Sequence, residues 1–402
     1  MSFWTLSFWT VSFWTVSFWT VSFRRPALRY RAAAMAARAA STVVVKVGSS
    51  TITTAHGEID TEVVGRLSRE VAARTRAGDR IVLVTSGAIA CGWAALGRPG
   101  PRPSDLAVLQ AVSAVGQQRL MRAWQDGLAA TGLLAGQVLL APLDFGNRRQ
   151  YLHARATLQH LWHLGVVPVV NENDAVADDE IRYGDNDRLA ALVAHLCRAD
   201  LLVLLTDTPG LLSVDPRIGG SGSLIEEVME IDQRLMDVAG GPGAVGSGGM
   251  ASKLAAARMA SRSGVGTVIA DGRRPGVVTA ALDGVPGVGT TVAASAERMP
   301  ARKLWIAYAI GASGQLVVDD GARRALVERG RSLLPAGVVE CRGQFDPDDA
   351  VEISAIDGDV FAKGIVRYSS ARAPEWVRRR SEELPEDLSP VAVHRDDLVV
   401  LT

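Results

Sequence analysis

The chain has 402 residues, 48% hydrophobic and 21% charged, the composition of a globular protein with ample core and too long for a single compact one. Forty-three basic residues balance 43 acidic ones, so no net field draws the chain to nucleic acid or to a membrane. Three separated cysteines (Cys91, Cys197, Cys341) form no CxxC, and six histidines form no HExxH, which excludes a disulfide framework and a zinc site and suits a reducing cytosol.

Residues 1–23 repeat Ser-Phe-Trp-Thr followed by Val or Leu with a period of five, which fits neither the helical period of 3.6 nor the strand period of 2. The uncharged stretch followed by Arg24 and Arg25 admits a membrane anchor. The order of charge and apolar residues is wrong for a signal peptide. Near-identity of the units favours a translated tandem repeat ahead of a start at Met35, so no membrane is expected and residues 1–40 are set apart as a disordered or misassigned extension.

From Ser41 onward, short runs rich in Val, Leu and Ile predict buried strands over 42–47, 81–85, 137–140, 166–170, 201–206 and 267–270. Amphipathic spacing predicts helices over 61–77, 104–130, 148–164, 186–198 and 250–263. The alternation predicts an α/β domain over 41–290 with a doubly wound, mainly parallel sheet. Glycine, alanine and proline then mark a linker over 291–301. Short β-rich stretches from 316 to 368 predict a small second domain over 302–385, with 386–402 as a C-terminal segment. Ligands of a doubly wound sheet bind beyond the carboxyl ends of its strands, which selects Lys46, Gly48, Ser86, Gly87, Asn171, Asp174, Thr206 and Asp207.

Only four lysines stand against 39 arginines. Lys303 and Lys363 read as scattered charges. Lys46 and Lys253 sit beside glycines, where a compact ammonium reaches a phosphate oxygen and backbone N–H groups approach an anion without a Cβ in the way. The run 240–249 leads into the helix starting near Met250, and a helix N-terminus is an anion site. It is not a dinucleotide fingerprint, because the GxGxxG over 241–246 follows no strand, and no Walker A lysine is present. Asp185, Asn186 and Asp187 together exceed what one helix cap requires. A carboxylate there could hold both ammoniums.

The segments around Lys46-Val-Gly48, Ser86-Gly87-Ala88, Asn171-Glu-Asn-Asp174, Asp185-Asn186-Asp187, Thr206-Asp207 and Gly248-Gly-Met-Ala-Ser-Lys253 resemble, in order, the amino acid kinase family. The stretches at 319–322 and 330–337 resemble a PUA domain, an RNA-binding module elsewhere. Within the family, the resemblance implies the branch that phosphorylates the side-chain carboxylate of L-glutamate to L-glutamyl 5-phosphate, the first step of proline biosynthesis, in the cytoplasm. It implies Lys46, Lys253 and Asp187 as catalytic residues and Ser86, Asp174 and Asn186 as substrate-binding. It implies Lys46, Gly48, Thr206, Asp207 and the stretch Ser247, Gly248, Gly249, Met250, Ala251, Ser252, Lys253 as ATP-binding. No protein metal site is expected; Mg2+ would ride on the ATP phosphates. A homo-oligomer and proline as feedback inhibitor are further implications.

Two other readings stay open: a kinase of the same superfamily acting on acetylglutamate, aspartate or a nucleoside monophosphate, and an RNA-binding protein using Arg367, Arg372 and Arg378 to Arg380 as a basic patch. Every candidate site residue precedes Asp271, so the chain beyond about Ala301 is expected to be dispensable for turnover.

Overall fold

The computed structural model describes residues 40–97, 103–176, 186–214, 222–239 and 249–401. The first 39 residues of the extension, and with them the repeat, lie outside the described residues, as do Asp185, the run 241–246, Ser247 and Gly248.

The predicted apolar runs form β1 (Thr42–Val47), β2 (Arg80–Val84), β3 (Leu134–Leu140), β4 (Val166–Glu172) and β5 (Leu201–Thr206). They are followed by the short β6 (Glu227–Val228), then β7 (Gly266–Asp271) and β8 (Gly289–Val292). The sheet order is β3-β4-β2-β1-β5-β7-β8-β6, parallel except between β7 and β8. Its helices are α1 (Ser49–Ile52), α2 (Thr61–Arg76), α3 (Ala88–Ala95), α4 (Leu106–Ala129), α5 (Arg148–His163), α6 (Asn186–Cys197), α7 (Gln233–Val238), α8 (Met250–Arg262) and α9 (Val277–Leu282). Local chemistry starts several of them: Asp60 accepts from Val63 N, Asp105 from Val108 N and Asn147 from Gln150 N, each satisfying a free N–H of the first turn.

Strand alternation distributes β1 between two cores. Val43, Val45 and Val47 pack with α2 and α4 on one face, through Leu67, Leu120 and Trp124. Val44 packs with α6 and α8 on the other, through Leu189, Val193, Leu254 and Ala257. The sheet is thus covered on both sides, and the family of side chains on the Val44 face includes Lys46.

The second sheet has the order β10-β9-β11-β12-β13, from β9 (Gly314–Val318), β10 (Val338–Gly343), β11 (Ala350–Ala355), β12 (Val360–Val366) and β13 (Val393–Val400). Between the sheets lies α10 (Ala301–Leu304); α11 (Asp320–Val327) and α12 (Ala373–Trp376) belong to the small sheet's connections. Two expected boundaries move. Residues 291–292, read as linker, finish β8, a strand of four small residues too short to show a pattern. The segment after 385 supplies β13, which pairs with β12 and buries Val393 and Leu398 in the small core.

The junction between the sheets is a single turn of π-helix, Trp305–Ala309. Leu304 and Trp305 pack into the first core, where Trp305 Nε1 donates to Pro142 O at 3.1 Å. Ile306 faces the other way, onto Ala350, Ile365 and Val399. Lys363 of β12 closes this junction. It is not the surface charge expected from sequence: it is 8% exposed, and its Nζ donates to Ile310 O. Burial pulls its ammonium down to about 8, with Glu352 opposing and Arg188 adding to the fall. An ordinary lysine ammonium titrates near 10.5, so the unfolded chain binds more protons between about pH 8 and 10.5, and wild-type stability rises there with pH. Lys363→Met is therefore expected to gain most, relative to wild type, near pH 7 and to lose that gain toward pH 10.5. The swing is on the order of 3 kcal/mol, because each pKa unit is worth about 1.4 kcal/mol. Denaturant midpoints of both proteins across that range check this; a difference independent of pH contradicts it.

Candidate active site

Parallel strands end at one edge, and that edge gathers the candidate residues. Lys46 leaves β1 one residue before its end, and Gly48 follows, its N–H donating to Leu205 O at 3.3 Å. An added Cβ on Gly48 would stand 3.8 Å from Lys46 Nζ, so the ammonium curls back over the glycine. Beyond β2, half-buried Ser86 precedes Gly87, whose φ of 102° is a conformation that favours glycine and that turns the chain into α3. An added Cβ at Gly87 would stand 3.7 Å from Ser49 Cβ, which brings the β1 and β2 turns together. Beyond β4 comes Asp174, half-buried at the start of a 3₁₀ turn. Buried Thr206 ends β5 and exposed Asp207 follows it, with Thr206 Oγ1 donating to Asp207 Oδ1 at 3.2 Å.

Asp187 is the centre. It lies in the first turn of α6, 0% exposed, on the sheet face that Lys46 shares. Lys46 Nζ is 2.5 Å from its Oδ1, and Lys253 Nζ, from the first turn of α8, is 3.1 Å from its Oδ2. Both ammoniums are themselves buried, at 5% and 4% exposed. Burial alone pushes the Asp187 carboxyl up. The Lys46 and Lys253 ammoniums outweigh it, with hydrogen bonds from Lys46 and Ser252, and hold the group below the usual carboxylate range. A depressed pKa means that its stabilising contribution is present above the unfolded value and is lost as pH falls, so the carboxylate is ionised at neutral pH. Two ammoniums and one carboxylate leave one unit of positive charge in a nearly dry setting, where its pull on an anion is strong.

Ser252 touches the same carboxylate. Its Oγ lies 2.9 Å from Asp187 Oδ2 and 2.9 Å from Gly249 O. A hydroxyl has one proton and both neighbours are acceptors, so it serves one at a time. Sequence reading assigned Ser252 to the nucleotide and missed its hold on Asp187. Gly249 is exposed at the N-cap of α8, with open space where a Cβ would be. Ala251 is in the core, so only its backbone can face a ligand, and Met250 packs partly against the same core. Asn186 is buried with its Oδ1 unpartnered. Asn171, one residue before the end of β4, is likewise buried with an unpartnered Oδ1. Among the described residues, no group of three or more His, Cys, Asp or Glu could hold a metal, and no helix is long and apolar enough to cross a membrane.

The chain matches the amino acid kinase family over residues 41–271 and the PUA domain over 314–388. It is 46% identical over 368 residues to the glutamate 5-kinase of Nocardia farcinica, covering 92% of this chain and 99% of the relative. It is 45% identical over 363 residues to that of Syntrophotalea carbinolica, covering 89% and 96%. It is 45% identical over 368 residues to that of Chromobacterium violaceum, covering 90% and 98%.

Proposed function

The chain belongs to the glutamate 5-kinase family of amino acid kinases, and we propose that its reaction takes place between Lys46 and Lys253 with Asp187 holding both. The enzyme uses ATP to phosphorylate the side-chain carboxylate of L-glutamate, giving L-glutamyl 5-phosphate for proline biosynthesis. A carboxylate oxygen forms the new bond to the γ-phosphorus, the bond from that phosphorus to the β,γ-bridging oxygen breaks, and ADP carries the electron pair away. The acceptor is already ionised at neutral pH, so no general base is needed. What remains for the protein is to align the reactants and neutralise charge.

The observation that supports this assignment is the buried carboxylate shared by two ammoniums at the carboxyl edge of the sheet. Lys46 and Lys253 serve as two fixed positive points for the phosphoryl group in transfer, and Asp187 sets their separation. Gly48, whose own N–H is held by Leu205 O, has no Cβ to keep phosphate from Lys46 Nζ, and Gly87 offers its backbone N–H to substrate oxygens. Ser86, Asp174 and Asn186 bind glutamate. Thr206, Asp207 and the stretch from Ser247 to Lys253 hold ATP. Asp187 is committed to the lysines, so the donor set fits a Mg2+ ion carried on the nucleotide phosphates and water rather than in a protein cage; when bound, the ion neutralises phosphate charge. Cytoplasmic location, homo-oligomerisation and feedback by proline belong to the same reading. RNA binding by the small domain rests on Arg378 to Arg380, which are exposed, because Arg367 pairs with Asp397 and Arg372 with Glu375 and Asp387.

The decisive assay is ADP release dependent on added L-glutamate, with the acyl phosphate trapped as its hydroxamate by hydroxylamine. Turnover with acetylglutamate, aspartate or a nucleoside monophosphate in place of glutamate would overturn the substrate assignment.

A further inference from the structure

Asn171, one residue before the end of β4, is 1% exposed. Its Nδ2 donates to Gln117 Oε1 at 2.6 Å, and its Oδ1 has no partner. A buried acceptor left unanswered bears the full cost of its lost hydration, which makes this oxygen a place where a ligand's donor is missing. Gln117 lies on α4 four residues after Ser113 and three before Leu120, both buried, so it sits on the inward stripe of that helix. It also lines a cavity of about 660 Å³ shared with Asn173 and Asp174.

The two ends of a primary amide are opposites, one donating and one accepting. With the carbonyl of Gln117 against it, Asn171 can answer only with its NH₂, and its oxygen is turned elsewhere. The sheet order puts β4 two strands from β1, roughly 10 Å at the usual strand spacing of about 4.8 Å. An extended glutamate with one hydrogen bond at each end covers about that span. Its side-chain carboxylate then lies toward Lys46, and its α-ammonium toward the end of β4.

We propose that Gln117 is a positioning residue for substrate selection: by accepting from Asn171 Nδ2, it fixes Asn171 Oδ1 as an acceptor for the α-ammonium of L-glutamate. The proposal rests on the glutamate reading above. It makes the site prefer glutamate over a dicarboxylate of equal length that lacks the ammonium.

The experiment compares wild type, Gln117→Met and Gln117→Glu by two quantities, KM for L-glutamate and the inhibition constant of glutarate as a competitor. Met keeps the length and removes the acceptor. Glu can only accept, so it keeps the orientation, and the ratio of the two constants cancels most of its added charge. The expected result for Gln117→Met is a KM for L-glutamate raised about 10–100-fold, with kcat, the KM for ATP and the glutarate constant within about twofold, the pattern of lost ground-state binding. For Gln117→Glu, the ratio stays within about threefold of wild type. A ratio unchanged in Gln117→Met overturns the proposal, as does a ratio that collapses in Gln117→Glu, because the amide would then be oriented the other way. Parallel loss of glutamate and glutarate binding in Gln117→Met also overturns it, since that is the mark of a merely structural role. A wild-type protein without glutamate-dependent turnover is a separate failure, of the substrate reading itself.

Discussion

Lys253→Arg is expected to fold as the wild type does and to lose about 10²–10³ in kcat, or roughly 3–4 kcal/mol, the usual cost of one well-placed electrostatic contact. Charge is conserved, so the loss must come from shape. Lys253 Nζ meets Asp187 Oδ2 at 3.1 Å while Lys46 already holds Oδ1 at 2.5 Å and Ser252 shares Oδ2. A guanidinium fork binds a carboxylate through two parallel bonds and would claim both oxygens of Asp187, displacing Lys46. The side chain is also longer than the 4%-exposed space that it must occupy at the first turn of α8. Lys363→Arg is no control for this experiment, because Lys363 is itself buried at the junction. Half-buried Lys303 in α10 serves instead, and Lys303→Arg should change neither kcat nor melting by more than about 0.5 kcal/mol. Steady-state kinetics with ATP and L-glutamate, beside thermal melts, decide the matter. Equal activity in Lys253→Arg and Lys303→Arg would remove Lys253 from the mechanism.

How much of this was legible in the sequence depends on the range of the interaction. β1 is a run of valines around Lys46, and its burial on both faces follows from that pattern alone. The turns after β1 and β2 were legible because a parallel sheet puts its ligands at one edge and the residues there are small or polar. Asp187 could be picked from its cluster, but not its contacts: it bridges side chains more than sixty residues away on α8 and far back on β1, and no local rule encodes that. α3 was missed because Ala88–Ala95 is almost uniformly small and apolar, with no polar face to give a period. Gln117 was missed although it carried a signal, a polar residue on the buried stripe of a long helix. Lys363 was misread for the converse reason. In β12 its neighbours Ala362 and Gly364 do not betray how deeply the strand lies under the π-turn, a tertiary fact.

That turn also shifts the point at which the chain can be cut. A protein ending after Ala301 keeps every candidate site residue, yet it loses Leu304 and Trp305 from the first core. Leu304 is fully buried there, in the same core as Leu189, Leu192 and Val193 of α6, the helix that carries Asn186 and Asp187. Removing buried side chains of this size costs about 2–5 kcal/mol each, and two of them rival the whole stability of a typical domain, about 5–15 kcal/mol. A chain ending after Ile310 keeps both and exposes instead Ile306, which faces Ala350, Ile365 and Val399 of the small domain. The expected result is a protein that is insoluble or without activity when cut after Ala301, and one that keeps kcat within about tenfold when cut after Ile310 with Ile306→Ser to mask the new surface. Soluble yield, thermal melts and glutamate-dependent ADP release distinguish the two. If the longer truncation melts cooperatively but does not turn over, the small domain is required for the reaction itself. The junction of Lys363 with Ile310 near Arg188, which directly follows Asp187, would then be the contact through which it acts.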